Sequence, residues 1–131
     1  MNTVEANDFY TVMADQIKNR LYLLMKGDVF ERQRFENLPA QMREACRMLK
    51  PGFTCLADFA QVSLFALPDV ATAVQKTLLE EGVKRVASVW GEQMLAKLSM
   101  SKSAQTAGDP YVDRRKVFTD KNQGEAWLDE P

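Results

Sequence analysis

The apolar positions of this chain change period from segment to segment, and the changes mark its elements. Residues 9–14 and 21–26 are short apolar runs separated by Asp15-Gln16-Ile17-Lys18-Asn19-Arg20. That layout predicts an antiparallel hairpin. The second run, LYLLM, is apolar at consecutive positions and ends at Gly27. It suits a strand covered on both faces. Residues 30–49 switch to helical spacing: Phe35, Leu38, Met42, Cys46 and Leu49 share one face. Pro39 marks the first turn of the main helix, with a short helical turn before it, and Lys50-Pro51-Gly52 ends it.

Residues 53–57 form the next apolar run and predict a third strand. Pro68 opens a second helix, which turns Val70, Ala73, Val74, Thr77 and Leu78 inward and stops at Gly82. Residues 83–90 predict a fourth strand with VASV at its buried centre, and residues 91–106 a third helix anchored by Met94, Leu95 and Leu98. Gly108-Asp109-Pro110 is a turn, Lys116-Val117-Phe118 a short strand. Asp120 then caps a last helix, with Gln123 three residues on and Ala126-Trp127-Leu128 docking it.

The expected order is β-β-α-β-α-β-α-β-α. Strands that alternate with helices run parallel and are joined by right-handed crossovers. The expectation is an α/β fold: a mixed sheet of four to five strands, an N-terminal antiparallel hairpin followed by parallel units, flanked by four helices. Residues 1–131 form a single domain, with 1–8 a flexible lead.

Composition narrows the chemistry. Seventeen Lys and Arg against 18 Asp and Glu leave a net charge of −1. That balance argues against nucleic acid and gives no electrostatic reason to sit on an anionic membrane. The chain has no histidine, the commonest general base and metal ligand. No metal site or cofactor motif is expected: the glycines are scattered as stops, with no phosphate loop and no nucleophile elbow. Cys46 and Cys55 sit among apolar neighbours and read as buried, reduced thiols. With no secretion signal and no apolar stretch of spanning length, the expected compartment is the cytoplasm.

The element order, and the segments LKPGFTCLADFAQV, GVKRVASV and KVFTDKNQGEAWL, resemble the STAS-like (SpoIIAA-like) family of small bacterial domains. The resemblance covers the chain from about Phe9 to Leu128. It implies a mixed sheet flanked by helices that acts through binding rather than catalysis. In one branch of the family a serine after the third strand is phosphorylated and switches partner binding. Here Ala66-Leu67-Pro68-Asp69 stands where that branch carries its hydroxyls, so this sequence is similar to a branch without the switch.

The candidate site is the stretch between the third strand and the second helix, read as an apolar recognition loop from Asp58 to Asp69. Its candidate residues are Asp58, Phe59, Val62, Ser63, Phe65, Leu67 and Asp69. Loops at the carboxyl ends of parallel strands are where such sheets bind. Asp58 is either a ligand-facing carboxylate or a residue accepting local backbone hydrogen bonds. Ser63 is either a displaced phosphoacceptor or an ordinary serine. The apolar residues either fold onto the core or present a patch to a protein partner, a second copy of the chain or a lipophilic small molecule. The leading expectation is a non-catalytic binding or regulatory module, a homodimer or partner subunit. A carrier of a small apolar ligand is the alternative, and an enzyme the last. Two basic clusters, Lys84-Arg85 and Arg114-Arg115-Lys116, would hold a phosphate only if the fold brought them together; otherwise they are a solvated rim.

Overall fold

The first three strands follow directly in sequence and pair as an antiparallel meander. β1 (Asn2–Ala6), β2 (Tyr10–Asp15) and β3 (Arg20–Val29) are joined by short turns. In the β2–β3 turn, Asp15 Oδ1 accepts the amides of Ile17 and Lys18, and Asn19 takes a positive φ of 54°. A 3₁₀ turn (Arg32–Phe35) and α1 (Leu38–Arg47) lead to β4 (Thr54–Phe65). There follow α2 (Pro68–Glu80), β5 (Arg85–Trp90), β6 (Arg115–Phe118) and α3 (Lys121–Asp129). This is a computed structural model, and it describes residues 1–92 and 114–131. The sheet order is the chain order, β1 to β6, with β3, β4, β5 and β6 mutually parallel.

The sheet is covered on both faces. Leu21, Leu23 and Met25 of β3, with Cys55 and Ala57 of β4 and Val86 of β5, lie in one core with the apolar stripe of α1 and α2. Leu56, Ala87 and Val89 point the other way and meet Leu128 of α3. This is the period-2 alternation of a strand, each face given its own cover. α3 lies close to the sheet at Gly124: a Cβ there would stand 3.2 Å from Leu56 Cδ1 and 3.4 Å from Ala87 Cβ. The end of α2 is a Schellman turn, with Val83 N–H donating to Leu78 O and Gly82 N–H to Leu79 O, and Gly82 at φ +91°.

Several expectations need correcting. Residues 2–6, expected as part of a flexible lead, are β1, held by the ladder to β2 and by Val4 against the core. Among the described residues the sheet therefore has six strands, not four or five. Among the described residues there are three α-helices and one 3₁₀ turn; the helix expected over residues 91–106, with Met94, Leu95 and Leu98, and the Gly108-Asp109-Pro110 turn lie outside the described residues but for Gly91 and Glu92. The third strand does not stop at residue 57 but runs to Phe65. The α1 stripe is as expected: Phe35, Leu38, Met42 and Cys46 are buried.

Candidate functional site

The carboxyl ends of the parallel strands are uneven. β5 stops pairing with β4 at Phe59↔Trp90, while β3 and β4 continue to Val29↔Phe65. The last six residues of β4 thus form, with the end of β3, an arm beyond the body of the sheet. Two register shifts break the arm, one between Leu24 and Lys26 and one between Gly27 and Asp28. Each admits an extra residue on β4 and increases local twist. Asp58 serves the first: its Oδ1 accepts the amide of Ala60 at 3.0 Å. That is the local backbone role weighed for it above.

Aromatic rings collect where β5 ends. Phe59 stacks on Trp90 with centroids 4.4 Å apart, and Phe65 meets the same indole edge-on at 5.8 Å. Offset and edge-to-face pairs of this kind contribute roughly 0.5–1.5 kcal/mol beyond area burial. They give the arm a rigid base. Val62 and Leu67 are buried in the main core, Leu67 as the residue preceding α2. They hold the arm and the helix start in place and offer nothing to a partner. Ser63 is exposed, and Leu64 beside it is 46% exposed; Phe30, at the end of β3, is 52% exposed. Asp69 lies in the first turn of α2, where the helix dipole favours a carboxylate. It receives a two-pronged hydrogen bond from Arg32, at 2.9 and 3.1 Å. The Arg32 hydrogen bonds hold the exposed Asp69 carboxyl below its ordinary pKa.

The candidate residues therefore do not share a loop. Asp58, Phe59, Val62, Ser63 and Phe65 lie in β4, Leu67 precedes α2, and Asp69 is in its first turn. A mixed apolar and polar stretch reads as a loop when only alternate residues are covered and bulges break the alternation. Trp90 and Phe30 were missed. Trp90 ends a buried run, and its aromatic size was the one available signal.

A second polar centre occupies the opposite end of the sheet. The buried Arg20 guanidinium donates to Thr54 Oγ1 and Asp129 Oδ1, both at 2.8 Å, and to Glu125. It ties the start of β3 to α3. Tyr22 next to it is raised to about 12, by burial first and then by Glu125. Cys46 and Cys55 are free and buried; burial pushes the Cys46 thiol up to about 12 and raises Cys55 as well. Thiols so raised are not nucleophiles near neutral pH. Among the described residues no group of three or more Cys, Asp or Glu is placed to hold a metal ion, and no helix is long and apolar enough to cross a membrane.

No family model matches the chain, and no curated protein does. Among solved structures it is similar to the crystal structure of an uncharacterized protein of the DUF3478 family, with a SpoIIAA-like fold, from Shewanella loihica. The two share 17% identity with a TM-score of 0.58, over 95% of this chain and 98% of that one. The fold of this chain is thus SpoIIAA-like, as its element order suggested.

Proposed function

We propose that this protein is a non-catalytic binding or regulatory module, in the manner of STAS-like domains, and that it works through the β3–β4 arm. One observation carries the reading. At the end of the arm, Leu64 and Phe30 are exposed while the residues around them are built into a rigid aromatic base. Exposing two large apolar side chains in one region costs solubility unless a partner covers them. A fixed base lets a partner bind without first ordering a loop. Ser63 is exposed beside Leu64, and Phe59 and Phe65 pack on Trp90 at the base, with Asp58 shaping the backbone there.

The partner that accounts for the surface most economically is a second copy of the chain, giving a homodimer in the cytoplasm. The experiment is molecular mass by light scattering across a dilution series, for the wild type and for Phe30→Ser with Leu64→Ser. The wild type should associate and the double variant should be monomeric at the same concentration. Both side chains are already solvated, so the fold should survive. A monomeric wild type, or a double variant that associates equally, refutes self-association through the arm.

A further inference from the structure

The two basic clusters are brought side by side. β5 and β6 pair in parallel register, Val86↔Arg115 and Ala87↔Lys116, so Lys84 and Arg85 lie at the strand entry beside Arg114. This is the amino edge of the sheet, opposite the arm. The arginines 20, 32, 34, 43 and 47 are all paired with carboxylates. Lys84, Arg114 and Lys116 have no side-chain carboxylate within 4.0 Å among the described residues. Two of the cations are nonetheless held in place. Arg114 donates to Val83 O at 2.8 Å, and the Lys116 ammonium stands 5.6 Å from the Phe118 ring centroid and 6.0 Å from that of Trp127. Arg85 is tied to the main-chain oxygens of Trp127, Glu130 and Pro131.

We propose that this edge docks an acidic, extended peptide segment of a partner protein. The charges do not converge on one point: Lys116 leans over the rings on the α3 face, while Arg114 reaches to the entry of β5. A lone phosphate cannot reach all of them. An extended segment can follow separated cations with successive carboxylates, its alternate side chains being ~6.6 Å apart. A long polyanion is a poorer match, because a chain with a net charge of −1 gives no general basic surface to extend the contact beyond the patch. The carboxylates nearest in sequence are Glu80, Glu81, Asp113 and Asp120; Glu80 and Glu81 are engaged by Arg43 and Arg47, Asp120 accepts the Asn122 amide, and Asp113 lies outside the described residues. Glu125 and Asp129 are engaged by Arg20, and the exposed Glu130 pairs with none of these cations. Among the described residues β6 is also the last strand of the sheet, and cations on an edge strand can serve simply to discourage strand pairing.

The test is fluorescence anisotropy of a labelled oligo-glutamate peptide with the full chain at low ionic strength. The variants are Lys84→Gln/Arg114→Gln/Lys116→Gln and a control, Arg43→Gln/Arg47→Gln on α1. The wild type and the control should bind saturably, more weakly as salt rises. The triple variant should lose about tenfold or more, as expected for three exposed ion pairs. Absence of saturable binding, equal loss in the control, or unchanged binding by the triple variant overturns the proposal. So does tighter binding of an oligonucleotide of the same charge, or full competition by inorganic phosphate at matched charge. A triple variant that aggregates, with no peptide binding by the wild type, assigns the cations to guarding the edge.

Discussion

Arg20 joins the first half of the chain to its last helix, and the exposures of its partners set an asymmetry that can be measured. Its side chain is 3% exposed, but that of Glu125 is 22% exposed and that of Asp129 58%. Arg20→Met keeps the aliphatic packing and removes the three donated bonds. The two carboxylates can then take up water where they stand. Their loss costs about 1–1.5 kcal/mol for Glu125 and ~0.5 kcal/mol for the more exposed Asp129. The near-buried Thr54 hydroxyl, deprived of its donor, adds ~0.5–1 kcal/mol. The total is about 2–3 kcal/mol. The converse change, Glu125→Met with Asp129→Leu, strands a buried guanidinium under apolar cover, with Thr54 its one remaining partner among these three. That costs more, about 3–5 kcal/mol. Combining all three substitutions leaves no stranded charge and should recover most of the loss, since a buried ion pair replaced by apolar groups is often close to neutral. The assay is urea unfolding with linear extrapolation, which resolves such differences when the slope is unchanged. Two results would sink the reasoning: Arg20→Met costing as much as the carboxylate double variant, or a triple variant whose loss equals the sum of the others. Either would mean that the loss does not come from a stranded guanidinium.

Two further outcomes follow from buried titratable groups. Cys46 and Cys55 should resist a thiol reagent at pH 8 in the native state, and both should react at once on unfolding; rapid native labelling of either would contradict their burial. Tyr22, raised to about 12 from 10.0, keeps its proton in the native state while the unfolded chain releases it. Its contribution is intact below pH 10 and is lost as pH rises towards 12, so stability should fall across that window. Tyr10 is raised in the same direction. Tyr22→Phe should flatten part of the decline in the urea midpoint, and an unchanged slope would show that the proton is not held there.

What was legible in the sequence was whatever depends on local pattern over several residues. The α1 stripe, the proline starts, the Gly82 stop and the buried VASV centre each rest on contacts within one element and its immediate cover. The N-terminal edge strand was harder, though the short strand at residues 116–118 was read correctly. Residues 2–6 carry no apolar alternation, because an edge strand exposed on most positions needs only a ladder and one packed side chain, here Val4. The role of Arg20 was invisible for another reason. A charged residue at a hairpin exit reads as solvated, and its carboxylate partners lie 105 and 109 residues further on.

The arm shows why the candidate stretch, read as a loop, is strand for most of its length. Asp58, Gln61 and Ser63 look like loop residues because strand prediction assumes that both edges and at least one face are covered. From Ala60 onward β4 has lost its partner on the β5 side, and two bulges shift which residues face inward. Val62 is buried and Leu64 is exposed, two positions apart, where an unbroken strand would put both on one face. The second register shift falls between them and separates a core residue from a surface one. The apolar character that marked this stretch therefore divides in two: Val62 and Leu67 are buried in the core, and Leu64, with Phe30 just after β3, is exposed and carries the proposed association. Replacing Val62 should thus cost stability without touching association, whereas replacing Leu64 should do the reverse.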